Sequence, residues 1–266
     1  MKTAVAQISC TLGDVDANLQ TIRTYTTCAK EGGAELIVFP EMSDTGYSMP
    51  VIQKHASSWN EGAVPELQKL AADLSLTIIC GVSERDRDCI YNSQVVINTA
   101  GEIVGRYRKT HLFSPAPIEE HLCFAAGDCL ATTDVGALTL GLTICYDLRF
   151  PEVYRRLAVE EKSNALVISS AWPFPRVEHL RVLATARAIE NQSYVILANR
   201  VGTDDGVTFC GTSAIIDPYG VVIAAASADR EELLLADISD ELVASIRSRM
   251  PIFDHRRAEL YARPLL

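Results

Sequence analysis

Metal-binding spacing is missing from this sequence. Its eight cysteines (Cys10, Cys28, Cys80, Cys89, Cys123, Cys129, Cys145 and Cys210) include no C-x-x-C pair, and its five histidines form no H-E-x-x-H or comparable ligand set. Both absences argue against a zinc site. The cysteines are scattered, and Cys10 and Cys80 lie inside apolar, strand-like runs, so reduced thiols in a cytoplasmic protein are expected rather than a disulfide framework. Basic clusters are missing too. With 24 Lys and Arg against 34 Asp and Glu, the formal net charge is -10. Neither nucleic acid nor an anionic membrane surface is an expected partner, because both need concentrated cationic side chains. No apolar run reaches the roughly 18 residues of a spanning helix. Met1 to Ile8 pass straight into an alternating strand pattern, without the longer apolar stretch and cleavage site of a secretory signal. There is no linker rich in Gly, Ser or Pro and no short-period repeat, so residues 1–266 are read as one domain.

What is present is a soluble-type composition, 48% hydrophobic and 22% charged, with strand and helix patterns in alternation. Strands are expected over Lys2–Ser9, Glu35–Glu41, Thr77–Ser83, Tyr91–Asn98, Ile103–Arg108, Leu138–Tyr146, Ala165–Trp172, Ser193–Val201, Gly211–Ile216, Val221–Ala226 and Leu233–Asp237. Helices are expected from about Asp16 to Lys30, Val64–Leu74, Pro151–Glu160, Val177–Asn191 and Ser239–Arg249. Met42–Met49 reads as loop, Glu84–Cys89 and Gly202–Gly206 as turns, and Ser114–Asp128 as a long irregular segment of the kind that carries function. Eleven or twelve strands exceed what one doubly wound sheet comfortably uses. Two sheets packed face to face, with helices outside each, accommodate them.

Three chemically distinctive residues stand where apolar strands give way to loops: Glu41, Lys109 and Cys145. Cys145 sits between the run Leu138–Ile144 and a helix opened by Pro151, a strand-to-helix turn with backbone N–H groups that no ladder uses. Ligand sites in α/β sheets collect outside the carboxyl ends of strands, so the three can meet. A thiol of ordinary pKa is only about 3% ionised at neutral pH and needs a base or a neighbouring cation. Glu41 suits the base. Lys109 suits the cation or an oxyanion donor, alongside the Tyr146 N–H.

The segments Val38-Phe39-Pro40-Glu41, Tyr107-Arg108-Lys109-Thr110-His111-Leu112-Phe113, Ala126-Gly127-Asp128 and Ile144-Cys145-Tyr146-Asp147-Leu148-Arg149-Phe150-Pro151 occur in that order. Ala186–Gln192, Gly211-Thr212-Ser213, Asp217-Pro218-Tyr219-Gly220 and Pro251-Ile252-Phe253 follow them. In these segments the chain resembles the nitrilase superfamily of carbon–nitrogen hydrolases along nearly its whole length, and within it the omega-amidase-like branch. The resemblance implies a four-layer αββα sandwich of two mixed sheets and a Glu-Lys-Cys triad at Glu41, Lys109 and Cys145. It further implies a second glutamate after the lysine, for which Glu120 matches better than Glu119. It implies hydrolysis of a small linear amide through a cysteine thioester, with no metal or organic cofactor. A homodimer or higher homo-oligomer is implied as well, with the helix around Ala186–Gln192 and the tail at about 250–266 as contacts.

Tyr47 and Trp172, in loops after strand ends, are candidates to wall the substrate pocket. Arg149 or Arg176 is a candidate partner for a substrate carboxylate, since the guanidinium recognises carboxylates bidentately. Arg149, inside the nucleophile's turn, is expected to brace that turn against Asp147. Three alternatives stay open: nitrile or N-carbamoyl substrates on the same triad, a Cys-His hydrolase using His111, His121 or His179, and a catalytically silent binding or assembly protein.

Overall fold

The structure, a computed structural model, describes residues 1–261. The last five residues of the 250–266 tail lie outside this range. The strands are β1 (Lys2–Gln7), β2 (Leu36–Val38), β3 (Thr77–Asp86), β4 (Cys89–Ile97), β5 (Ile103–Arg108), β6 (Ala131–Val135) and β7 (Leu138–Ile144). They continue with β8 (Ala165–Ser170), β9 (Tyr194–Asn199), the short pair β10 (Thr203–Asp204) and β11 (Val207–Thr208), then β12 (Ala214–Ile216), β13 (Val222–Ala225) and β14 (Glu232–Asp237). The helices are α1 (Val15–Glu31), α2 (Met49–His55), α3 (Ala63–Leu74), α4 (Pro151–Val159), α5 (Val177–Asn191), α6 (Asp240–Arg249) and α7 (Ala258–Tyr261).

Two six-stranded mixed sheets have the orders β14-β1-β2-β3-β4-β5 and β13-β12-β9-β8-β7-β6. Each has three parallel strands at its centre, β1-β2-β3 and β7-β8-β9, flanked by antiparallel ones. Strand alternation then builds the layers. Val5, Leu36, Val38 and Ile79 of the first sheet join Leu140, Leu142 and Val167 of the second in one buried cluster between the sheets. Ala4, Ala6, Ile37 and Ile78 point the other way and pack with Ile22 of α1 and Leu67 and Leu70 of α3. On the outer face of the second sheet, Val153 and Leu157 of α4 and Leu180, Ala184 and Ala188 of α5 cover the core. This is the αββα sandwich, and continuous apolar runs such as β2 and β8 follow from burial on both faces.

Boundaries differ from the sequence pattern where side chains are polar. The segment read as a turn over Glu84–Cys89 is mostly ladder: β3 and β4 pair out to Asp86 and Cys89, leaving Arg87-Asp88 as a two-residue connection with Arg87 at φ 55°. Buried Glu84 accounts for this, because it accepts from Trp59 Nε1 (2.6 Å), Ser93 Oγ (2.6 Å) and Arg108 Nε (2.9 Å) and so belongs inside the sheet. β6, with Thr132, Thr133 and Asp134 in its middle, forms an edge strand that its polar composition conceals. The turn read over Gly202–Gly206 contains β10 and opens the β10–β11 hairpin. Among the described residues, no helix is long and apolar enough to cross a membrane.

Candidate active site

Two antiparallel steps, β3–β4 and β4–β5, return β5 to the direction of β2, so Glu41 and Lys109 leave the first sheet on the same edge. Two glycines let other backbone approach these ends closely. A Cβ on Gly81 would lie 2.5 Å from the Pro40 carbonyl oxygen and 2.6 Å from Glu41 Cα. A Cβ on Gly127 would lie 2.2 Å from the Arg108 carbonyl oxygen, next to Lys109. Any side chain at either position displaces the backbone carrying a charged group. From the second sheet, β7 stops at Ile144 and Cys145 opens a short 3-10 turn, Cys145–Arg149. The strand is thus two residues shorter than its pattern implies. Cys145 has φ 44°, a left-handed conformation that costs a non-glycine residue on the order of 1–3 kcal/mol and recurs at strained nucleophile turns. The Tyr146 N–H, at the start of this turn, has no acceptor within the helix.

Lys109 Nζ donates to Glu41 Oε1 at 2.8 Å and to Glu120 Oε1 at 2.7 Å, with all three side chains buried. An ammonium has three N–H groups, so one remains for another acceptor. Asn92 Nδ2 donates to the same two carboxylate oxygens, at 2.6 Å and 3.2 Å. Glu41 Oε2 accepts from the Ala171 N–H beyond β8 (2.7 Å), which ties the first sheet's carboxylate to the second sheet. Glu120 accepts from the Tyr47 hydroxyl (2.5 Å) and, through Oε2, from the Phe113 N–H (2.6 Å). Glu119 stands outside this network, half-buried, with φ 47°.

Burial governs the ionisation of these groups. It pushes the Glu41 carboxyl above its ordinary value, with Lys109 pulling down and Glu120 pushing up. It pushes the Cys145 thiol up strongly, with Glu41 and Glu120 adding to the effect and Lys109 and Ser170 opposing it. Burial alone would lower Lys109, but Glu120, Glu41 and Cys145 outweigh it and raise the ammonium's pKa. The resting site therefore holds a neutral thiol beside a fixed cation, and burial strengthens the affinity of Glu41 for a proton.

Cys145 opens onto a narrow cleft lined by Tyr47, Phe113, Tyr146, Arg149, Trp172 and Arg176 among others. Tyr47 and Trp172 both reach the cleft and both are held by packing and hydrogen bonds: Tyr47 meets Phe209 edge-on, and Trp172 Nε1 donates to the Arg176 carbonyl at 2.9 Å. The Arg176 guanidinium lies 5.5 Å from the Phe113 ring centre.

Arg149 corrects an expectation. It does not touch Asp147; it stacks on Trp172 (4.8 Å) and Tyr146 (5.9 Å), with Nη2 3.3 Å from His179 Nδ1, and lines the cleft. Asp147 instead accepts from Tyr107, Thr110, His111 and the Ile144 N–H, which leaves the guanidinium to face the pocket. The histidines considered as bases are elsewhere. His111 is bound to Asp147, His179 is exposed beside Arg149, and His121 is exposed. The pattern reading missed Asn92, which lies mid-strand with nothing local to distinguish it. It also missed the Tyr47–Glu120 bond, which joins loops 73 residues apart.

A buried thiol on a strained turn, next to a buried Glu–Lys pair and above a small cleft, is the equipment of a hydrolase that works through cysteine. The carbon–nitrogen hydrolase model matches residues 2–248, and the chain belongs to that family, as a hydrolase of carbon–nitrogen bonds. It is similar to 2-oxoglutaramate amidase of Bacillus subtilis (strain 168), 36% identical over 230 residues, which cover 86% of this chain and 87% of the relative. Among solved structures it resembles Saccharomyces cerevisiae Nit3, a member of branch 10 of the nitrilase superfamily (TM-score 0.87, 29% identity, 97% and 96% of the two chains). It also resembles the amidase from Nesterenkonia sp. AN1, solved as a mutant with acrylamide added at its active site cysteine (TM-score 0.86, 25% identity, 98% of each chain).

Proposed function

We propose that this protein hydrolyses the terminal amide of small, linear amides that carry a carboxylate at the far end, through a thioester on Cys145. The observation that carries this reading is the pairing of a buried Glu41–Lys109–Glu120 cluster with a cleft into which Cys145 opens. Glu41 takes the thiol proton as sulfur attacks the amide carbonyl. The remaining Lys109 N–H and the Tyr146 N–H hold the oxyanion, and Glu41 returns the proton to the departing nitrogen, releasing ammonia. Water then gives a proton to Glu41 and attacks the thioester, which releases the carboxylic acid and regenerates the thiol. Glu120 holds Lys109 together with Glu41, and Tyr47 holds Glu120.

The two guanidiniums support the choice of substrate. Arg149 and Arg176 line the cleft, and neither forms an ion pair among the described residues. In a chain of net charge -10, unpaired arginines at a pocket suit an anionic ligand. The name of the Bacillus subtilis relative agrees with such a substrate. Arg176→Ala is expected to raise KM about 10-fold or more for omega-amides bearing a carboxylate, as loss of a charge-assisted pair costs about 1.5–3 kcal/mol, and to leave neutral amides unchanged. Ammonia release from a panel of omega-amides, neutral amides, N-carbamoyl amines and nitriles checks it; equal loss on neutral amides contradicts carboxylate recognition.

We propose further that the protein is a cytoplasmic homodimer. Val182 and Ile189 of α5 and Val221, Val222 and Ile223 around β13 are exposed, an apolar patch of the kind that marks association surfaces. Sedimentation at micromolar concentration is expected to give twice the chain mass of 29.0 kDa; a monomer contradicts the assembly.

A further inference from the structure

The carboxylate of Asp147 collects more donors than any role in the chemistry accounts for. It is fully buried. Its Oδ2 accepts from the Ile144 N–H at 3.0 Å and from the Tyr107 hydroxyl at 2.8 Å. Its Oδ1 accepts from the His111 N–H at 3.1 Å and the Thr110 hydroxyl at 3.2 Å, and lies 2.9 Å from His111 Nδ1. A carboxylate only accepts, so this contact fixes a proton on Nδ1. The His111 ring stacks on Phe150 at 3.9 Å, and Phe150 closes the turn that Cys145 opens.

These donors fall into two groups. Ile144 immediately precedes Cys145, and Asp147 itself lies in the 3-10 turn that holds Cys145 at φ 44°. Tyr107, Thr110 and His111 surround Lys109 in sequence on both sides. One side chain therefore joins the end of β5 in the first sheet to the end of β7 in the second. The two ends carry the lysine and the thiol, and no direct hydrogen bond links Lys109 to Cys145 among the described residues.

We infer that Asp147 is a positioning residue: with Tyr107 and His111 it sets the distance and orientation of Cys145 relative to Lys109, so that thiol attack and oxyanion capture occur on one carbonyl. This rests on the proposed roles of Cys145 and Lys109. A misplacement of about 1 Å at such a pair costs about 100-fold in rate, whereas substrate binding in the arginine-lined cleft is untouched. The expected signature is a fall in kcat at constant KM.

The test compares Asp147→Asn, Tyr107→Phe, His111→Ala and His111→Asn with the parent enzyme. Turnover is normalised to the fraction of Cys145 alkylated at completion by iodoacetamide, read on the Cys145 peptide by mass spectrometry, so that loss of folded protein does not count as loss of rate. Asp147→Asn is expected to lower normalised kcat about 100-fold with KM within threefold. Tyr107→Phe and His111→Ala, which each remove part of the network, are expected to lower it about 10-fold. His111→Asn, whose amide can restore a donor toward Oδ1, is expected to recover most of the loss. Normalised kcat within twofold of the parent in Asp147→Asn overturns the inference; if that variant does not fold, parental kcat in both Tyr107→Phe and His111→Ala overturns it. Cys145→Ala runs alongside: residual turnover there overturns the nucleophile assignment itself, an outcome separable from a silent Asp147→Asn.

Discussion

Replacing Lys109 with Met is expected to remove both activity and stability. Lys109 is the only cation in hydrogen-bond contact with Glu41 and Glu120 among the described residues, and all three are buried. Taking away one member of a buried ionic cluster leaves its partners uncompensated, at a cost of about 3–5 kcal/mol. For a chain of this size that lowers the Tm by roughly 6–20 °C. Glu41, which burial and the Glu120 charge already push up, is then expected to take up a proton, because the lysine that opposed them is gone. Loss of the oxyanion donor separately lowers kcat by about 100- to 1000-fold. Thermal denaturation and steady-state ammonia release check the two effects. Parental stability in Lys109→Met contradicts the geometry of the cluster.

Glu41→Gln is expected to lower the same two quantities. A carboxyl whose folded pKa is raised contributes stability at low pH and loses that contribution as pH rises through the folded value. Glu41 is such a group: burial raises it despite Lys109. The groups facing its two oxygens, Lys109 Nζ, Asn92 Nδ2 and the Ala171 N–H, are all donors, so the amide NH2 of glutamine meets a buried donor on one side and the variant is expected to lose about 1–3 kcal/mol. Turnover falls by about 100- to 10,000-fold with the loss of the proton acceptor. In the parent enzyme, the acid limb of kcat/KM is expected above the ordinary carboxylate value of 4.5, since Glu41 works only when ionised. A Glu41→Gln enzyme that keeps parental turnover contradicts this account.

The αββα layering was legible because its parallel strands are buried on both faces: Leu36–Val38 and Ala165–Ser170 carry no polar alternation to mislead. The three strand ends were legible for the same reason, as Glu41 and Lys109 interrupt or end patterns that otherwise run apolar or alternate. What escaped reading depends on long-range pairing. Asn92 is an ordinary mid-strand residue until Glu41 and Glu120 arrive from elsewhere in the chain. β6 is held to β7 by its ladder rather than by apolar content. Arg149 and Asp147 are two residues apart, which suggests a local pair. The fold instead turns one toward the cleft and the other toward the Lys109 segment.

The central claim is a covalent one, that the acyl group of the substrate passes through Cys145. Acid-quenching the parent enzyme during turnover of a saturating small omega-amide, followed by mass spectrometry of the peptides, measures it directly. The account predicts an increment equal to the acyl group on the Cys145 peptide, removable by hydroxylamine as a thioester is, and absent with ammonia release in Cys145→Ala. An acyl adduct on a different residue, or undiminished ammonia release by Cys145→Ala, would contradict it.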